Sequence, residues 1–332
     1  MRKIKIAQIG INRYSHALEI AWSIARQPEI FDFVGIVYPE NEKETMPHKY
    51  EKVCTYPELT LEQVLNDPTI EAVAIETDEI HLTKYALMAA KAGKHIHMEK
   101  PGGREAEQFE ELIRMVKETG KVFHTGYMYR YNPFIVDLME RIKKGELGQI
   151  LSVEAQMNCI HPRELRQWLG QLPGGMMFYL GCHLVDLIYR LQGQPKEIIP
   201  MNTCSGWDDV TALDCGMAVF RYENGVSTAK TYAVERGGFA RRQLVVTGKR
   251  MTVELNPLEW YVPGTPNLQT TRYIRYNKKW LEWNEPEKLE PMNRYDPMMT
   301  GFAQIVRGER ENPYTPDYEL ELFKLVLKAC GV

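Results

Sequence analysis

Apolar residues in the first 125 positions fall into short blocks separated by longer periodic stretches. Residues 4–9, 33–37, 72–75, 95–98 and 122–125 are apolar without strict alternation, the pattern of strands covered on both faces. Between them, 15–26, 61–65, 82–92 and 105–118 carry apolar residues at helical spacing. Gly93 and Gly120 mark two helix ends. Strands alternating with helices predict a parallel, doubly wound α/β domain, whose ligands bind at the carboxyl ends of the strands.

The pattern changes after Asn132-Pro133. A helix over 134–144 stops at Gly145, and strands are expected over 150–157, 211–222, 226–233 and 243–255. Tyr222-Glu223-Asn224-Gly225 reads as a hairpin turn, because Asn-Gly tolerates positive φ. Residues 260–297, rich in Pro, Asn, Trp and Tyr, are expected to form loops over the sheet. Helices over 297–307 and 318–330 close the chain. The second domain is therefore expected to be α+β with a largely antiparallel sheet.

Composition narrows the function classes. The 332 residues suffice for two cores, and 44% hydrophobic with 26% charged residues is the balance of a soluble globular protein. A net charge of −3 gives no reason to expect nucleic acid or an anionic membrane as partner. No apolar run approaches a membrane span, and the first residues enter a strand without a signal-peptide pattern, so a cytoplasmic location is the expectation. Six scattered cysteines suit reduced thiols. Cys182 beside His183 reads better as buried filler than as a nucleophile, since neighbouring side chains point apart.

"KIAQIGINRYSHALEIAW" (5–22) joins the first strand to the first helix. Gly10 supplies a tight turn. Asn12 can adopt the left-handed conformation and donate to a phosphate, and Ser15 can cap the helix. These residues alone leave two readings open, a phosphate-binding loop and a plain strand-to-helix turn. His95, His97 and Glu99 alternate on one strand, which raises a metal reading, although no metal is expected once the wider pattern is considered.

"AIETDEIHLTKYALMAAKAGKHIHMEKPGG" (74–103) resembles the Gfo/Idh/MocA oxidoreductases. That family carries T-P-x-x-H, then a helix, A-G-K-H-V and E-K-P; here Thr77, His81, Ala92-Gly93-Lys94-His95 and Glu99-Lys100-Pro101 keep the spacing. Gly126, Arg130 and Pro133 are similar to its G-x-x-x-R-x-x-P segment. Gly174, Gly175, Gly181, His183 and Asp186 are similar to its G-G-x-x-x-D-x-G-x-H-x-x-D segment. The resemblance implies a Rossmann domain over 1–125 and an α+β substrate and oligomerisation domain over 126–332, with the last helices able to pack back on the first domain. It implies NAD, with NADP not excluded, held by Gly10, Ile11, Asn12, Arg13, Tyr38, Glu40, Thr77, Asp78, His81, Glu99 and Lys100. It also implies a homodimer or homotetramer.

The same resemblance assigns catalytic roles. Lys100 polarises a substrate oxygen, His183 exchanges its proton, and Tyr179 orients or relays. Arg130, His161, Arg163, Trp168 and His183 are the expected contacts of a small-molecule substrate, a sugar, cyclitol or related hydroxy or keto compound. Four positions depart from the family. Tyr179 stands where an aspartate usually supports the histidine, and Tyr38 replaces the aspartate that ends the second strand. Asp78 replaces a proline, and Met128 replaces a polar residue often found two positions before Arg130. Acidic Glu40 and Glu42 favour NAD over NADP. Two alternatives stay open: an NAD-dependent glycoside hydrolase acting by transient oxidation, and a non-catalytic NAD- or sugar-binding regulator on the same fold.

Overall fold

The computed structural model describes residues 2–276 and 285–332. The chain resolves into two compact units, Met1–Met128 with Tyr295–Phe323, and Tyr129–Arg294 with Lys324–Val332. In chain order the first unit contains β1 (Ile4–Ile9), α1 (Ala17–Ala25), β2 (Phe31–Val37), and the short helices α2 (Glu42–Thr45) and α3 (Pro47–Tyr50). Then come α4 (Leu61–Asn66), β3 (Ala72–Ile75), α5 (Leu82–Lys91), β4 (His95–Met98), α6 (Ala106–Thr119) and β5 (Phe123–Thr125). The five strands are all parallel in the order β2-β1-β3-β4-β5.

Local signals explain several of these boundaries. Thr60 and Gln63 form a reciprocal capping box that starts α4. Gly93 and Gly120 follow α5 and α6 with φ of +68° and +65°. The short helices α2 and α3 are too brief to carry a readable period, and sequence patterning missed them.

One face of this sheet is not apolar. Gln8, Ala74, His97 and His124 lie in register across β1, β3, β4 and β5. Gln8, His97 and His124 are buried. The Nδ1 atoms of His97 and His124 are 2.7 Å apart, so one ring donates to the other.

The second unit begins with α7 (Pro133–Lys143), where Asn132 Oδ1 accepts from the Phe134 amide and Pro133 occupies the first turn. It continues with β6 (Ile150–Gln156), α8 (Arg163–Trp168), α9 (Cys182–Gln192), β7 (Glu197–Pro200), β8 (Cys215–Arg221) and β9 (Val226–Tyr232). β10 (Gln243–Gly248), β11 (Thr252–Leu255), β12 (Trp260–Tyr261), β13 (Leu268–Gln269), β14 (Thr271–Arg275) and β15 (Glu287–Lys288) follow. The chain closes with α10 (Asp296–Val306), which belongs to the first unit, and α11 (Pro316–Cys330), which belongs to it as far as Phe323. Eight strands form one sheet in the order β15-β14-β11-β10-β6-β9-β8-β7; β6 and β9 are its parallel pair, and the remaining pairings are antiparallel.

Three expectations for this unit need correction. The single strand over 243–255 is two strands, because a turn brings the Gly248 amide to the Met251 carbonyl. The strand over 211–222 starts only at Cys215, since a turn pairs Asp214 N with Ala212 O. Residues 260–297 are not loops alone: β14 pairs with the full length of β11 and extends the sheet. Within that stretch, residues 277–284 lie outside the described residues. The Tyr222–Gly225 hairpin is present, closed by Tyr222 N donating to Gly225 O. Among the described residues, no helix is long and apolar enough to cross a membrane. All six cysteines are free.

Candidate functional site

The turn after β1 is built by close approach to the segment after β3. Gly10 has φ +97°, and a Cβ there would lie 2.6 Å from the Thr77 amide nitrogen. Gly10→Ala should therefore destabilise the first unit by roughly 2–5 kcal/mol, combining left-handed strain with overpacking. Urea denaturation of the variant measures this.

Asn12 takes φ +35°, as its residue type allows, but its side chain serves the loop itself. Nδ2 donates to Thr77 O at 2.7 Å and to Glu79 Oε2 at 3.3 Å; Oδ1 accepts from the amides of Tyr14 and Ser15, both at 2.8 Å. Both ends of the Asn12 amide are thus engaged within the chain. Ser15 is not a helix cap: the N-cap position of α1 is His16, and the Ser15 hydroxyl is buried without a hydrogen-bond partner. Two further loop amides hold acidic side chains. Ile11 N donates to Glu42 Oε2 at 2.9 Å, and Arg13 N donates to Asp78 Oδ1 at 2.6 Å. Lys49 Nζ donates to the carbonyls of Asn12 (2.6 Å) and Ser15 (3.1 Å).

The segment after β2 packs back on this loop. Ile11, Met46 and Val53 share one apolar cluster, with Tyr38 and Tyr50 against it. Tyr38 meets Tyr50 edge to face at 5.1 Å. Glu40 Oε1 accepts from Lys84 Nζ (2.6 Å) and Tyr85 Oη (2.7 Å), and His81 Nδ1 lies 4.0 Å away. The hydrogen bonds from Lys84 and Tyr85 keep the Glu40 carboxyl below its usual range. Burial pushes Glu42 up to about 9.

At the carboxyl end of β4, Glu99 and Lys100 are buried, with Nζ 3.4 Å from Glu99 Oε1. The solvated surface pair that this dipeptide suggests by itself does not exist. Glu76 and Glu79 are also buried there. Burial raises Glu79 to about 7 and Glu76 well above the normal carboxylate range, while the Lys100 charge pulls both down. These two acids, with Lys49, escaped the sequence reading because their roles depend on contacts distant in sequence. His95, His97 and Glu99 do not converge: His95 Nδ1 accepts from Val122 N, His97 meets His124, and Glu99 faces Lys100. Burial holds His97 down at about 3.

In the second unit the residues ahead of α9 form a π-helical turn, Met177–Gly181. Tyr179 therefore lies in the π turn and His183 in the α-helix that follows it. The Tyr179 ring is buried and meets Trp168 (5.6 Å) and His161 (6.1 Å) edge to face. His183, also buried, meets Tyr129 at 5.5 Å. Arg130 donates through Nε and Nη2 to Asp186 Oδ1, at 3.1 and 2.7 Å, inside the unit. Arg163 Nε donates to the Asp208 carbonyl at 2.9 Å. Cys182 is buried, with Sγ directed at Tyr179 O. Two ionic clusters were not foreseen: buried Arg166 with buried Asp214 and exposed Asp208, and buried Glu259 with Arg242 and Arg294.

Residues 10–15 fit the pyrophosphate of a dinucleotide in kind. They offer a tight turn, a left-handed residue at position 12, and backbone amides ahead of α1. The oxygens of Glu42 and Asp78 on the Ile11 and Arg13 amides show that these donors are aimed at an oxygen acceptor.

Comparison with known proteins agrees with this architecture. Residues 4–127 match the model of the oxidoreductase family's NAD-binding Rossmann fold, and residues 135–254 match the GFO/IDH/MocA C-terminal domain. The chain is similar to scyllo-inositol 2-dehydrogenase (NADP(+)) IolW of Bacillus subtilis (strain 168), 29% identical over 140 residues; this spans 42% of the chain and 39% of that relative. It is also similar to 1,5-anhydro-D-fructose reductase of Ensifer adhaerens, 24% identical over 75% of the chain and 73% of that enzyme. Among solved structures, aldose-aldose oxidoreductase from Caulobacter crescentus, complexed with glycerol, superposes with a TM-score of 0.79 at 18% identity, covering 99% of this chain and 98% of that one. With both domain models matched in order, and with its substitutions at 38, 78 and 179, the chain belongs to the Gfo/Idh/MocA family of NAD(P)-dependent oxidoreductases as a divergent member.

Proposed function

We propose that the protein is a dehydrogenase or reductase of a sugar, cyclitol or related hydroxy or keto compound. The observation that carries this reading is the buried ammonium of Lys100 at the end of β4, set among Glu99, Glu76 and Glu79. A buried cation at that strand end suits a substrate oxygen that gains negative charge. Nicotinamide, when bound, supplies the hydride acceptor or donor. Lys100 holds the substrate oxygen, and His183 takes or returns the hydroxyl proton. Tyr179 orients the substrate or relays that proton, and its ring partners His161 and Trp168 fix its position. Arg130 holds Asp186, which lies three residues after His183 on the same helix, and Arg163 contributes to substrate contact.

The coenzyme in this reading is NAD in preference to NADP. Lys84 and Tyr85 hold the Glu40 carboxylate in its charged form just past β2, where it opposes a 2′-phosphate. Homodimer or homotetramer formation belongs to the same proposal. It is supported by the row Val219, Thr228, Glu154, Val245, Glu254 and Tyr273 across one face of the large sheet, in which Glu154 is exposed and the others are half-exposed. A cytoplasmic location is supported by six free thiols.

A spectrophotometric screen of NAD and NADP reduction across sugars, cyclitols and sugar acids tests the reading. Reduction of NAD by at least one polyol, faster than of NADP, is the expected result. Tight NADH binding without turnover of any substrate would instead support the non-catalytic regulator, which Tyr179 in place of a carboxylate favours.

A further inference from the structure

We infer that Glu42 and Asp78 set the affinity of the protein for its coenzyme, because their side-chain oxygens hold loop amides that a pyrophosphate has to take. The inference rests on the family's dinucleotide and not on the substrate proposed above. Four amides of the loop already have acceptors within the chain. Ile11 N is held by Glu42 and Arg13 N by Asp78, while Tyr14 N and Ser15 N are held by Asn12 Oδ1. A hydrogen bond to a charged acceptor is stronger than a neutral one, so a phosphate oxygen displaces Asp78 only against real competition. The carboxylate and the phosphate cannot share one amide, since like charges at that separation repel.

Asp78 stands where the family carries proline, a residue with no side-chain acceptor. Glu42 lies on α2, in the segment after β2 that packs back on the loop. The latch has a second attachment on the same segment. Lys49 of α3 donates to the Asn12 and Ser15 carbonyls, and Met46, between the two helices, packs with Ile11. Glu19 and Glu79 add negative charge near Lys49, and the Arg13 guanidinium lies 3.9 Å from Asp78 Oδ2. Coenzyme binding is thus an exchange of acceptors: phosphate oxygens come onto the amides as Asp78 and Glu42 leave them. Once displaced, Asp78 still has Arg13 as a counter-ion.

Isothermal titration with NADH, and separately with ADP, tests this on the full chain at pH 7.5. Asp78 is half-buried, so Asp78→Ala should fold, and thermal melting verifies it. That variant should bind both ligands at least about tenfold more tightly than wild type, the factor that corresponds to ~1.4 kcal/mol of relieved competition. Asp78→Asn keeps an oxygen acceptor without the charge and should fall between them. Glu42→Ala provides the independent second test and should also tighten ADP binding. Unchanged or weaker binding in both alanine variants overturns the inference, and so does absence of binding in wild type and every variant. None of these readouts depends on turnover, so a failed substrate screen leaves the result interpretable.

Discussion

Replacing Lys100 with alanine should lower kcat by about 10²–10³-fold while NADH binding and the melting temperature stay close to wild type. The ammonium is buried at the end of β4, where it is the charge that pulls Glu76 and Glu79 down against burial. Without it, a substrate oxygen that gains negative charge meets three carboxyl groups and no cation. Glu79, already at about 7, then rises further and takes up a proton, which lets the fold tolerate the loss. Lys100→Arg separates charge from geometry. If placement of the ammonium matters, arginine keeps coenzyme affinity but does not restore turnover, because its planar fork cannot stand where a compact ammonium does. Turnover of Lys100→Ala near the wild-type rate would remove the lysine from the mechanism.

The largest stability effect is expected from Glu259→Ala. Glu259 is buried between Arg242 and Arg294, the latter at 2.7 Å. Removing the carboxylate leaves two guanidinium groups facing each other with their shared partner gone, which costs about 3–5 kcal/mol. A lower urea midpoint for the second unit reads this out. Burial by itself would raise the Glu259 carboxyl, but Arg294 and Arg242 outweigh it and hold the group at about 2. Its folded-state value lies below its unfolded one, so the stabilisation is fully present above about 4.5 and is lost as pH falls toward about 2. The acid limb of a stability-against-pH curve should be shallower in Glu259→Ala than in wild type. An unchanged limb would mean that the ionic cluster contributes little.

The first sheet was legible in the sequence because its strands are short, apolar and separated by helices of readable period. Two of them, Ala72–Ile75 and His95–Met98, fall where the apolar blocks begin and end. Elements without a period were not legible. α2, α3 and α8 span four to six residues each, and β14 lies in a stretch whose Pro and Asn content reads as loop. The candidate site divides along a similar line. Motif residues such as Lys100 and His183 are marked by local spacing. The partners of Asn12, Ile11 and Arg13 are not, because Glu42, Thr77, Asp78 and Glu79 reach the loop across 31 to 67 residues of chain. The π turn at Met177–Gly181 was hidden for another reason: one extra residue in a turn leaves apolar spacing nearly unchanged.

Asn12 changes the entropy of the first loop. A loop with glycine at this position samples many backbone states until a ligand orders it, and that ordering opposes binding. Here Asn12 supplies the order in advance, through four hydrogen bonds from one side chain and a backbone already in the left-handed region. The unfolded chain also has fewer states to lose than it would with glycine. Association with a dinucleotide should accordingly be governed by enthalpy, with little conformational ordering left for the ligand to impose on residues 10–15.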